Sequence, residues 1–119
     1  MRHPTAVWIG RLVPGAEAEQ ERFLATLRQP ATLRRLRENY HLTGYRIEAD
    51  GDRVRITFSG ESPAALANFL KARRLWPSCW RYEGTGPVEP PGQGGRRVLF
   101  DLADWLGHES GGSAPAKGG

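Results

Sequence analysis

Cysteine is all but missing from this 119-residue chain: Cys79 stands alone. That excludes an intramolecular disulfide and any metal site built from paired cysteines. Lysine is scarce as well, with 2 against 15 arginines, in a chain rich in Ala, Gly and Pro. Arg standing in for Lys in such company is a bacterial-like composition of the kind GC-rich coding produces. No apolar run approaches the ~18–20 residues of a membrane span, and the first ten residues hold no signal-peptide core. A cytoplasmic protein with no membrane partner is therefore expected. Branched aliphatics are thin too. Leu, Ile, Val and Phe make up 24 of the 119 residues, near the level at which a packed core becomes hard to build. Four Trp and three Tyr offset the deficit, since each aromatic buries about 150–250 Å².

What is present reads as one small α+β domain. Tyr45, Ile47 and Ala49 alternate with Arg46 and Glu48, and Val54, Ile56 and Phe58 alternate with Arg55 and Thr57. Alternation marks half-buried strands, and Asp50-Gly51 supplies the turn of a hairpin. Thr5 to Val13, β-branched and aromatic, reads as a first strand stopped by Pro14-Gly15. Glu17, Glu19 and Glu21 then load the start of a helix and Arg22 and Arg28 its later turns, the order the helix dipole favours. Phe23, Leu24 and Leu27 make its apolar stripe. Pro30 breaks it, and Ala31 to Tyr40 continues with Leu33, Leu36 and Tyr40. Ser62-Pro63 opens a further helix with Leu66, Phe69 and Leu70 inward. Ser78 to Tyr82 suggests a short last strand.

That order over residues 5–82 matches the ferredoxin-like βαββαβ sandwich, an antiparallel sheet with both helices on one face. Residues 83–95, rich in Gly and Pro, read as a linker. Residues 96–109 form a docking segment, and 110–119 a disordered tail. Val98, Leu99, Leu102, Trp105 and Leu106 fall on one helical face, with a strand over Arg97 to Leu102 as the competing reading.

Catalytic and cofactor signatures are lacking. His3, His41 and His108 have no ligand spacing. Ser59 to Ser62 is not a nucleophile elbow, and Gly92 to Gly95 lacks the GK[ST] ending of a phosphate loop. Asp50 and Asp52 suit the hairpin turn, and Asp101 and Asp104 pair with no second acid–base group. No cofactor and no metal are expected.

Function must then come from surfaces, in a chain of net charge +4 and pI ≈ 9.8. The leading expectation is a non-enzymatic binding or accessory protein whose partner, another protein or a second copy, meets Val98, Leu99, Leu102, Trp105 and Leu106. A first alternative is nucleic-acid binding through Arg34, Arg35, Arg37, Arg46 and Arg55, since helix, turn, helix and hairpin is also the order of a winged-helix reader. A second is a dimeric α/β-barrel type ligand-binding protein or enzyme. A cavity ringed by Trp and Tyr would favour it; Trp76, Trp80 and Tyr82, clustered after the last helix, can line a ligand pocket or stack on bases but more often close a small core.

Overall fold

The computed structural model describes residues 3–72 and 76–102. They form strand β1 (Thr5–Leu12), helices α1 (Glu17–Leu27) and α2 (Pro30–Glu38), strands β2 (Leu42–Asp50) and β3 (Arg53–Gly60), helix α3 (Pro63–Leu70), and strands β4 (Trp80–Thr85) and β5 (Arg97–Asp101).

Local chemistry explains most of the boundaries. Glu17 and Glu19 occupy the first turn of α1, where exposed N–H groups favour negative charge. Pro30 starts α2 as its first residue, a position where the missing N–H costs nothing. The Ser62 hydroxyl caps α3 by accepting a hydrogen bond from the Ala65 N–H at 3.1 Å. The hairpin loop is Gly51-Asp52, because Asp50 still pairs with Arg53. Gly51 carries the positive φ, +63°, the role of Gly at the first central position of a two-residue loop.

The sheet is antiparallel with order β4-β1-β3-β2-β5. One face carries Trp8, Ile56, Ile47 and Phe100, aligned across four strands by the register, and all three helices pack on it. Leu24, Leu27, Leu36, Phe69, Tyr45 and Phe58 complete the core. Tyr45 and Phe58 both meet the Phe69 ring, each with centroids 5.2 Å apart.

The sheet departs from the plain βαββαβ expectation, with five strands in the order β4-β1-β3-β2-β5. β5 pairs with the outer edge of β2, placing Phe100 opposite Ile47 and Val98 opposite Glu48. Arg97–Asp101 is thus strand, and the helical alternative for these residues falls. Its apolar spacing suits a helix, but periodicity is blind to an open sheet edge offering a row of unpaired backbone groups.

The stretch expected as a linker behaves differently as well. Its first residues complete β4, and the chain from Gly86 to Arg96 crosses the face of the sheet opposite the helices. Pro87 accepts a hydrogen bond from Arg55, Glu89 O accepts one from Arg46 at 2.8 Å, and Gly92 N–H donates to Glu48 at 2.6 Å. Pro and Gly without periodicity signal a lack of regular structure, not a lack of partners.

Handedness accounts for the side the strap takes. β1 to β2 and β3 to β4 cross over the helical face. β4 runs opposite to β1 yet moves the same way across the sheet to reach β5. Only a crossing on the other face keeps the same hand, as connections between parallel strands of one sheet nearly always do.

Candidate functional site

Alternation puts Trp8, Gly10 and Leu12 of β1 on the helical face, and antiparallel pairing sets Thr85, Tyr82 and Trp80 of β4 directly beside them. Gly10 is what lets the Trp8 indole lie along its own strand: a Cβ there would come within 2.5 Å of the Trp8 ring and of the Arg81 carbonyl oxygen. Trp8 consequently becomes the hub of an aromatic cluster, with ring centroids 5.1 Å from Trp76, 5.5 Å from Tyr82 and 6.3 Å from Trp80.

Hydrogen bonds fix the surrounding rings. Trp76 Nε1–H donates to the Phe69 carbonyl at 2.9 Å, and Trp80 Nε1–H donates to Gln20 Oε1 at 2.7 Å. Phe23 meets Trp80 edge-on at 5.3 Å. With both indole N–H groups engaged inward, these two rings offer apolar surface to what lies outside.

What lies outside is a cleft of about 520 Å³ lined by Trp8, Leu70, Lys71, Trp76, Trp80 and Tyr82. A smaller hollow of about 230 Å³ adjoins it, sharing Trp8, Leu70 and Tyr82. Leu70 and Tyr82 stand at the rim, 49% and 56% exposed. Flat apolar walls with one ammonium at the edge can bind a planar molecule by stacking and pair an anionic group on it.

The opposite face holds a different constellation. Glu48 is fully buried, with Oε1 3.2 Å from Arg46 Nε and 3.7 Å from Arg96 Nε. Glu89, on the strap, lies 3.1 Å from Arg96 and 3.6 Å from Arg55. Sequence alternation assigned Glu48 to an outward position, which is right for the hairpin alone. Nothing in the pattern signals that a later segment seals that position.

The residues expected to meet partners are scattered by the fold. Val98 is exposed on β5, Leu99 is partly buried against the core, and Leu102 is fully buried. Trp105, Leu106, His108, Asp104 and the tail lie outside the described residues, as do Arg73 and Arg74. Arg34 and Arg35 are exposed on α2, which also carries Arg37. Arg46 and Arg55 instead lie beneath the strap on the other side of the sheet, so the winged-helix set does not converge on one surface. Arg28 donates to the Leu99 carbonyl at 2.7 Å, tying the end of α1 to β5.

Elsewhere His41, at φ +55°, sits 3.8 Å from Glu61 on the surface, and Asp52 pairs with Arg11 at 2.8 Å. Among the described residues no group of His, Cys, Asp and Glu has the arrangement of a metal site, and no helix is long and apolar enough to cross a membrane. Trp76, Trp80 and Tyr82 were legible as an aromatic cluster. Trp8 carries no such signal, since the neighbouring of β1 and β4 that turns it into a cleft wall is not written in local sequence. No family model, no curated protein and no solved structure matches the chain.

Proposed function

We propose that this protein binds a small planar, largely apolar molecule in the cleft around Trp8. The observation that carries this is the ring of Trp8, Trp76, Trp80 and Tyr82 around a cleft of about 520 Å³, within the 300–1,000 Å³ range of small-molecule sites. Lys71 favours a ligand bearing a carboxylate or sulfonate. We read the fold as a ferredoxin-like arrangement extended by β5, in which the ligand sits between β1, β4 and the end of α3. A dimeric barrel closed sheet-to-sheet does not suit this chain, because the strap occupies the face through which two sheets would meet. The ligand reading rests on the cleft of a single copy.

1-Anilinonaphthalene-8-sulfonate, planar and anionic, is the test ligand. It should bind saturably with one-to-one stoichiometry and quench tryptophan emission. Tyr82→Ala and Leu70→Ala, both at the rim, should each weaken it by about ten-fold, the worth of losing ~1.4 kcal/mol of buried apolar contact. Absence of saturable binding by the folded protein would retire this function.

A second reading, protein contact through the C-terminal segment, is favoured by exposed Val98 on β5, a strand paired on one side only among the described residues. It treats residues 103–109, with Trp105 and Leu106, as the part that meets a partner. Trp105→Ala should then abolish assembly while leaving monomer stability unchanged; a loss of stability at every protein concentration would assign Trp105 to the chain's own core. A nucleic-acid role would have to rest on Arg34, Arg35 and Arg37 alone. Changing all three to Glu should then abolish salt-sensitive binding to duplex DNA.

A further inference from the structure

The strap covers a group of poorly solvated arginines. The Arg46, Arg55 and Arg96 side chains are only 15%, 11% and 14% exposed, and the carboxylates that meet them are Glu48 and Glu89, 0% and 30% exposed. Three guanidiniums meet these two carboxylates in a poorly solvated place. At individual atoms, Arg46 Nε, Arg55 Nε, Arg96 Nε and Nη2, and Glu48 Oε1 are buried without a hydrogen-bond partner among the described residues. Buried donors left unmade are costly, and charged ones most of all.

Where Arg55 and Arg96 come together lies a further cavity, of about 150 Å³, lined by Ile9, Asp50, Arg53, Arg55, Gly94 and Arg96. Arg53 and Arg55 are two apart on β3 and point to the same side, while Arg96 arrives from the strap as it enters β5. Three arginines face one aspartate across a space large enough for a small polyatomic ion. We propose that this cavity binds a phosphate group, free or carried as a monoester, held by Arg53, Arg55 and Arg96. Planar guanidinium forks match such oxyanions bidentately. Arg55 and Arg96 are recessed beneath the strap and only Arg53 is exposed, which suits a single group and not a nucleic-acid backbone, whose many phosphates need rows of accessible cations. The site lies on the opposite face of the sheet from the aromatic cleft and is independent of it.

Thermal melting of the full chain, with chloride exchanged for inorganic phosphate at constant ionic strength, provides the test. A ligand that binds only the folded state raises the melting temperature with its concentration, so a rise that saturates as the site fills is expected. Arg96→Gln and Arg53→Gln should each weaken the apparent affinity about ten-fold or more, as loss of a charge-assisted hydrogen bond implies, whereas Arg34→Gln should leave it unchanged. Glu89→Gln removes a carboxylate that competes for Arg55 and Arg96, so it should tighten phosphate binding; a purely structural network would only lose stability. Phenyl phosphate binding more tightly than phosphate would identify a monoester as the preferred form, and the reverse order the free ion. Should Arg96→Gln fail to fold, exposed Arg53 still decides the matter. No phosphate-specific rise, or a rise that Arg53→Gln leaves intact, overturns the assignment.

Discussion

Phe58 shows how much rests on single side chains here. It is buried between Phe69 and Trp76, with ring centroids at 5.2 and 5.9 Å, so Phe58→Ala should cost about 3–5 kcal/mol in urea unfolding. Tyr45 is as deeply placed, but its hydroxyl is buried without a partner among the described residues, and burial pushes the phenol well above its ordinary range. Tyr45→Phe should hold stability level or raise it by up to about 1 kcal/mol, since it removes an unpaired polar group and little volume. A clear loss would mean that the hydroxyl has a partner after all. Cys79 provides a pH readout. Burial first, and the Glu19 carboxylate second, push its thiol from the usual 9.0 up to about 11. Below pH 9.0 the thiol is protonated in both states and its contribution to stability is complete. Between 9.0 and about 11 the unfolded chain releases the proton while the folded chain keeps it, so stability falls. Cys79→Ala should flatten that part of the urea-midpoint profile. Burial, the cause in both residues, was visible in the sequence for Tyr45 through strand alternation. For Cys79 no periodic pattern surrounded it.

At the scale of elements, the strap and β5 carry the lesson. Hairpin, helices and first strand were legible because each announces itself within a dozen residues: alternation in Tyr45 to Phe58, a capping Ser62-Pro63, acidic first-turn residues in α1. Residues 86–96 announce little, because apart from a short 3-10 turn at Gln93–Gly95 they are held by hydrogen bonds to residues more than thirty positions away. Glu48 is the anchor of that arrangement. Removing one member of a buried ionic network leaves the others uncompensated, so Glu48→Ala should cost about 3–5 kcal/mol. Hydrogen exchange would localise the effect: amides of Gly92 to Arg96 should lose protection before those of β3. Equal loss throughout would show instead that the strap and the sheet unfold as one unit.

For the molecule as a whole, the sheet has two differently employed faces. Helices and the aromatic cleft occupy one, and the strap with its enclosed arginines the other. Deleting residues 96–119 would remove Phe100 and Leu102, both buried in the core, and open the sealed face as well. The expected loss is about 5 kcal/mol or more, comparable to the stability of a domain this size. Retention of cooperative unfolding at an unchanged urea midpoint would show that β5 is dispensable. Local sequence determined the strands and helices from β1 to α3, which side of those strands is apolar, and the absence of an intramolecular disulfide and of paired-cysteine metal chemistry, because those depend on neighbours a few positions apart or on residue counts alone. Tertiary structure alone decided that β4 lies beside β1, making Trp8 a cleft wall. It also decided that the chain returns over the open face, burying Glu48 among arginines, and that Val98 to Asp101 find a sheet edge and become strand. Each of these joins residues far apart in the chain, and the hydrogen bonds and packing that decide them exist only once both partners have been brought together.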